Sequence, residues 1–356
     1  MGREQHFIPR FLLKYFSVDA NGKLINVHLL NENRLSKGAS LKNQAQRHYL
    51  YGMDQKLEKF YEQLEGNTAS VIRKLSTGFL YLNNEENLHL KLFIHYQMNR
   101  TPGNVELFNN SIESIIKNMA SYNKKLKNHL NEFAIGINNP YMFLFRLATK
   151  ALHVIMNLRI GLLGSSNKKP FIIGQNPVVR LNPFLKAKNW QWSTQGLILK
   201  GIMIIMPISP QFSVIMYDSL CYTLINKYPN WIISDNDIDL LNYLQYLNTK
   251  ECIYFSYDPD ITYFNSISDK TKNFRNDVKV KLNLLSKRVK DDGEIEEIIN
   301  SGLKEYPIEQ NFNFYSLKYD AYMKQITNHV QARREVMPNF IEDEINRRLQ
   351  SKGHST

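Results

Sequence analysis

His6 and Arg100 are the residues of this 356-residue chain whose types suit metal-free phosphoryl chemistry. A histidine exchanges protons near neutrality, and an arginine stabilises charge developing on phosphorus. RNA cleavage without a metal asks for little more, because the 2′-hydroxyl is an internal nucleophile. Gln5 stands beside His6 at the mouth of an apolar segment, REQHFIPRFLLKYFS, residues 3 to 17. Gln97 precedes Arg100 in ENLHLKLFIHYQMNR. On a helical wheel of about 100° per residue, Leu90, Leu92, Phe93, Ile94 and Tyr96 span one arc, and Gln97 and Arg100 fall inside it. A core-facing arginine is costly unless paired, so it needs a carboxylate, carbonyl groups or a bound anion. Glu58, Glu62 and Glu65 of the preceding helix are internal candidates, and with one of them Arg100 is structural. Lys91 and His95 fall on the opposite side with Asn87 and are expected in solvent. For His6 the structural alternative is a histidine at the entrance to the core, bonded to a backbone carbonyl.

A second candidate is GQNPVVRLNP, residues 174 to 183, where a short strand runs into a Gln-Asn-Pro turn. Gln175 and Asn176 would present two amides at a sheet edge, in a loop of the kind that carries sites. The alternative is an Asx turn, with Asn176 bonded to its own backbone. Arg10 and Glu65 join them as candidate substrate contacts. MPISP, 206 to 210, reads as an architectural strand stop. Pro259-Asp260 with Asp277-Val278-Lys279 nominally fits a metal-dependent nuclease, but so loose a spacing arises by chance. Arg146 and His153 resemble the Arg-to-His motif of helical HEPN ribonucleases, although the intervening LATKAL lacks the polar residue that usually follows the arginine. No Walker loop, Gly-rich dinucleotide loop, GxSxG elbow or HExxH motif occurs, which argues against ATPases, common hydrolases and zinc peptidases. Neither a metal nor a cofactor is expected.

The elements that must position these groups read mostly as helices. Pro9 suits the first position of a helix, with Phe11, Leu12, Tyr15 and Phe16 as its buried stripe and Arg10 and Lys14 opposite. KLINVHLL, 23 to 30, predicts a strand, and 31 to 52 reads as irregular. A long helix begins at Asp54 as N-cap and ends near Leu75. Others cover about 84–100, 104–133 and 140–163, an all-helical middle. From Pro170 the pattern changes: FIIG, GIMIIMPIS and FSVIMYD read as strands, and QNPVVRLNPF as a turn-rich loop. A helix over about 235–248 leads into a strand at ECIYFSY. The remainder, KRVKDDGEIEEII included, reads as charged helix. The expected fold class is α+β, mainly α-helical, with a small β-sheet contributed mostly by the second half. The expected divisions are a core over 1–258, a charged helical extension over 259–335 packed on it, and an exposed helical tail over 336–356.

Hydrophobic residues at 43% and charged residues at 22% exclude wholesale disorder. Two cysteines, Cys221 and Cys252, exclude a disulfide scaffold and a Cys-based zinc site, and point to the reducing cytoplasm. GIMIIMPI and ALHVIMNLRIGLL are too short or too polar to span a bilayer, and the polar N-terminus does not read as a secretory signal. No membrane partner is expected. A net charge of +12 favours polyanions such as nucleic acid. AT-biased coding also enriches lysine, however, and these lysines form no tract. The oligomeric state is not legible.

In order along the chain stand QHFIPRFLLKYF, LEKFYEQLEGNTASVIRKL, YQMNRTP, GQNPVV and PISP. This series resembles the bacterial domain-of-unknown-function family DUF4238 over residues 4 to 258. The resemblance singles out Gln5, His6, Pro9, Leu13 and Phe16, then Glu65, Gln97, Arg100, Thr101 and Pro102, then Asn176 and Pro177. It implies a prokaryotic defence setting, stand-alone anti-phage genes included, more than a reaction. Members commonly carry DNP where this chain has Gln175-Asn176-Pro177, so a metal or base function of that aspartate would be missing here. The resulting reading is a cytoplasmic anti-phage protein acting on nucleic acid, a metal-independent ribonuclease-like toxin. Its catalytic set is His6, Arg100, Gln97 and Gln5, and its substrate contacts are Asn176, Gln175, Arg10 and Glu65. The competing reading is a non-catalytic sensor or binding module that recognises a phage component or a nucleotide. On either, His6, Gln97, Arg100 and Asn176 are expected to converge on one pocket.

Overall fold

Pro9 interrupts the first extended segment. Its ring holds φ at −56° just ahead of a single helical turn, so the chain passes from β1 (Glu4–His6) into α1 (Arg10–Leu13) within a few residues. A 3₁₀ turn at Lys14–Phe16 finishes that entry, with Leu12, Leu13 and Phe16 buried beneath it. Then come β2 (Leu24–Leu29), β3 (Arg34–Ser40) and β4 (Gln46–His48), followed by α2 (Lys56–Leu75), α3 (Asn84–Asn99), α4 (Pro102–Ser121), α5 (Pro140–Lys150) and α6 (His153–Met156). The next stretch holds β5 (Arg159–Gly164), β6 (Ile173–Gly174), β7 (Val179–Leu181), α7 (Pro183–Ala187), β8 (Met203–Pro207), β9 (Phe212–Tyr217) and β10 (Tyr222–Leu224). The last comprises α8 (Asp235–Asn248), β11 (Cys252–Phe255), α9 (Ile261–Asn276), β12 (Val280–Val289), β13 (Ile295–Leu303) and β14 (Tyr315–Leu317). These elements belong to a computed structural model that describes residues 4–121, 136–166, 169–190, 193–225, 231–258, 260–277, 280–289, 293, 295–309, 311–318 and 333.

Two four-stranded antiparallel sheets, ordered β3-β2-β11-β6 and β5-β9-β8-β7, carry most of the pairing, beside the two-stranded pairs β1-β4, β10-β14 and β12-β13. The first sheet joins residues far apart in sequence: Tyr254 lies between Val27 on one side and Ile173 on the other. The second is buried throughout β8 and nearly so along β9. One core spans α1–α3, β2 and the faces of β8 and β9 that carry Ile204, Met206, Val214 and Met216. A second lies on the opposite face, built from Met203, Ile205, Ile215, Leu181, Phe184 and α8. Alternate side chains of one sheet therefore serve two cores.

The expectation of a mainly helical chain with its sheet mostly in the second half is overturned. The class is α+β, and four strands lie within the first 48 residues. Residues 34–40, RLSKGAS, carry no hydrophobic alternation because β3 is an edge strand with much of its surface in water. The helix expected over 140–163 stops at Met156, and RIGLLG is the edge strand β5 on β9. A short apolar run does not distinguish strand from helix by periodicity. KRVKDDGEIEEII contributes the end of β12 and the start of β13, with Lys287 opposite Glu297, Arg288 opposite Glu296 and Gly293 at φ +81°. Its Asp-Gly step was a hairpin signal in plain view. Asp54 does not cap α2; the N-cap is Gln55, in the left-handed region. QNPVVRLNPF contains β7, and the helix expected over 104–133 spans Pro102–Ser121. The expected tail over 336–356, and residues 122–133, lie outside the described residues.

Candidate functional site

The end of α3 is built around the backbone of residues 6 and 7. Gln97 Nε2 donates to the Phe7 carbonyl at 2.7 Å, and Arg100 Nε donates to the same oxygen at 3.1 Å. Arg100 Nη2 reaches the His6 carbonyl at 2.8 Å, which also accepts from the Tyr51 hydroxyl at 3.1 Å. Arg100 Nη1 pairs with Glu65 at 2.8 Å, and the guanidinium lies 4.6 Å from the centroid of the Tyr61 ring. Of the three carboxylates available in sequence, the fold selects Glu65. Burial opposes the charge of Arg100, but Tyr51, Glu65 and Tyr61 outweigh it and hold the pKa above its ordinary value. Gln5 accepts from the Tyr51 N–H at 2.7 Å. Gln5, Gln97 and Arg100 are each 1% exposed, so water does not reach them.

Of the expected catalytic set, Gln97 and Arg100 converge on the main chain of residues 6 and 7, while Gln5 serves the Tyr51 N–H. The His6 imidazole turns the other way, its Nε2 on the Lys42 carbonyl at 3.2 Å, and burial with the Arg10 and Arg100 charges lowers its pKa. That geometry matches the entrance histidine of the structural alternative. Arg10 is exposed on the far side of its turn.

Asn176 lies at a neighbouring junction. Its Nδ2 donates to the Asn248 carbonyl at 3.0 Å, and Asn248 Nδ2 returns a bond to the Asn176 carbonyl at 2.7 Å. The same amide packs against Gly103 so closely that a Cβ at 103 would collide with it, which accounts for glycine after Thr101-Pro102. Gln175 donates to Glu251 at 3.3 Å, a bond that a carboxylate at 175 would replace with repulsion. Between these groups opens a cleft of about 270 Å³, walled by Phe7, Pro102, Gly103, Gln175 and Asn176, with Arg47, Lys250, Glu106 and Glu251 around it. Arg47 pairs with Glu251 at 3.1 Å, and Lys250 pairs with Glu106. Thr101 Oγ1, Gln97 Oε1 and Asn176 Oδ1 are buried without a protein partner. Two smaller hollows follow along the same flank of α4: the first shares Gly103, Glu106, Asn176 and Lys250 with this cleft, and the second shares Leu107 and Asn248 with the first. One, of about 40 Å³, adds Leu107, Asn248 and Arg275; the other, of about 20 Å³, adds Arg180, Gln195, Lys304 and Tyr306.

Sequence reasoning missed Lys91 and His95, placed in solvent by the wheel. Both are buried, because α3 packs against α2, α4, α5 and α6 and has no open side. Lys91 donates to the Met156 carbonyl at 2.6 Å and burial lowers its pKa to about 8. His95 Nε2 lies 2.9 Å from the Ala148 carbonyl, and burial lowers its pKa to about 4. Glu58, also near Arg100, is raised to about 7 by burial, with Glu65 and Glu62 adding to the shift. Arg180 was missed as well; only its place inside a turn-rich motif marked it.

The other nominal motifs carry no joint site. Asp260 caps α9 by accepting from Thr262 and Tyr263, and Pro259, Val278 and Lys279 lie outside the described residues. Arg146 is exposed, while the His153 ring contacts the Lys150 carbonyl. Among the described residues no three His, Cys, Asp or Glu side chains gather as metal ligands, and no helix is long and apolar enough to cross a membrane.

A family model described as a protein of unknown function, DUF4238, matches residues 4–259. No curated protein and no solved structure matches the chain.

Proposed function

The chain belongs to the DUF4238 family, and within it we propose a binding module for nucleotide or nucleic acid, acting as a sensor in anti-phage defence rather than as a nuclease. One observation carries the reading: motif residues from three distant segments build the walls of a single cleft that has two ion pairs around it. Gln97 and Arg100 brace the main chain of His6 and Phe7, Phe7 and Pro102 form one wall, and Asn176 closes on Gly103 to form the other. A general acid–base pair needs side chains that reach a substrate. Arg100 is sealed and His6 is held on Lys42, so these two supply architecture. The half-exposed pairs Arg47–Glu251 and Lys250–Glu106 are weak in water and open to exchange for a phosphate. The net charge of +12 favours such a ligand.

Equilibrium binding of a fluorescent single-stranded RNA and of ATP to the purified full chain tests the proposal. The expected result is saturable binding that weakens with salt and falls about tenfold in the Arg47→Ala/Lys250→Ala double variant. RNA should be recovered intact, and His6→Ala should bind as the wild type does. RNA cut by wild type and spared by His6→Ala would return the ribonuclease reading. Absence of binding to either probe would overturn the binding module.

A further inference from the structure

Arg180 projects from β7 between Val179 and Leu181, whose side chains enter the second core on the opposite face. It is part-buried at the narrow end of the α4 flank, among Asn104, Gln195, Asn248, Lys304 and Tyr306. Among the described residues it has neither a carboxylate nor a carbonyl partner. The other buried arginines differ in this respect. Arg100 has Glu65 and two carbonyls; Arg275 has the Ser268 carbonyl at 3.0 Å and hydroxyl at 3.1 Å; Arg333 has Asn157 at 2.6 Å and the Val154 and Leu197 carbonyls. Burial lowers the Arg180 pKa, with Tyr306 the one group opposing it. A guanidinium withdrawn from water without a counter-charge is destabilising. Part-buried and with no carboxylate partner among the described residues, Arg180 has a charge open to an anion.

We propose that Arg180 receives the terminal phosphoryl group of a phosphomonoester that enters along the α4 cleft, a reading that deepens the binding function above and rests on it. Three features select this class. The free space beside Arg180 is about 20 Å³, so what reaches it is the outermost oxygen of a group and not a whole molecule. Arginine's fork matches phosphoryl oxygens, and amide donors stand next to it in Asn104 and Gln195. Lys304, exposed at the rim and paired with Asp277, adds a second cation. The wider hollows toward Gly103 and Gln175 would hold the remainder of a nucleotide or the next residues of a 5′-phosphorylated RNA.

Calorimetric titration of the full chain with inorganic phosphate, AMP, adenosine and acetate at matched ionic strength tests the inference. A parallel arm compares 5′-phosphorylated with 5′-hydroxyl RNA. AMP or 5′-phosphorylated RNA should bind, adenosine and acetate should not, and Arg180→Met should weaken the phosphorylated ligand about 10- to 100-fold. Preference for AMP over RNA identifies a nucleotide as the source; the reverse identifies an RNA end. Arg180→Lys, which keeps the charge but not the fork, should give an intermediate loss and serves if Arg180→Met does not fold. Binding of RNA that ignores both Arg180 and the 5′-phosphate would sink this inference and leave the binding module standing. Acetate binding as well as phosphate would sink the phosphomonoester class, and no binding of any probe would overturn both readings.

Discussion

Two arginines, one sealed and one part-buried, define two kinds of region in this protein. At the end of α3, Arg100 is enclosed by two carbonyls, a carboxylate and an aromatic face. At β7, Arg180 meets amides, a phenol and a lysine, and no anion among the described residues. The first is complete without a ligand; the second is not. Arg100, the motif arginine, has thus finished its bonding inside the protein. The unfinished charge lies inside GQNPVVRLNP, a stretch singled out for its amides and not for its arginine.

The contrast can be broken by measurement. Arg100→Met should destabilise the chain most, by about 3–5 kcal/mol, since it leaves Glu65 without its partner and takes one of two donors from each of the His6 and Phe7 carbonyls. Urea denaturation measures this, and a loss below about 1 kcal/mol would make the clamp ornamental.

Acid comes next. The His95 pKa is near 4 in the fold against an ordinary 6.5, so below 6.5 the unfolded chain binds the extra proton more readily. Stability contributed by the neutral imidazole is present above pH 6.5 and is lost as pH falls towards 4, by up to about 3 kcal/mol. His95→Gln should flatten that part of the stability–pH curve. Because the Arg180 charge adds to the lowering, Arg180→Met should soften the same slope.

Arg180→Met itself should leave the unliganded protein unchanged or up to about 1 kcal/mol more stable, opposite in sign to Arg100→Met. A loss as large as that of Arg100→Met would show that Arg180 is satisfied inside the fold.

The smallest effect belongs to Glu58. Its carboxyl, raised to about 7, keeps its proton in the fold over the interval where the unfolded chain has released it. Stability therefore falls as pH rises from about 4.5 to about 7. Glu58→Gln should raise the melting temperature at pH 8, by about 1 °C, and leave it unchanged at pH 4. An equal shift at both pH values would assign the effect to packing.

Much of the chain was legible beforehand. The helices over about 84–100 and 235–248 and the apolar runs of β8, β9 and β11 sit where local chemistry places them, and the Asn83–Glu86 capping box and the Ser234 cap fix where the two helices start. The inward turn of Gln97 and Arg100 was legible from the wheel. The burial of Lys91 and His95 was not, because a wheel supposes one buried face and α3 has several neighbours. β3 and β5 were missed because an edge strand is specified by its partner more than by its own pattern.

By itself the sequence determined the helical stretches, the buried strands, the family and the need of Arg100 for a partner. These follow from spacing, capping and the cost of a buried charge, all of them local or pairwise facts. Only the tertiary structure decided that Glu65 is that partner, that His6 faces Lys42, and that Gly103, Asn176 and Phe7 wall one cleft. It alone left Arg180 without a carboxylate partner among the described residues. The reason is physical: whether a buried polar group is satisfied depends on groups brought from distant parts of the chain, and a linear pattern does not contain them.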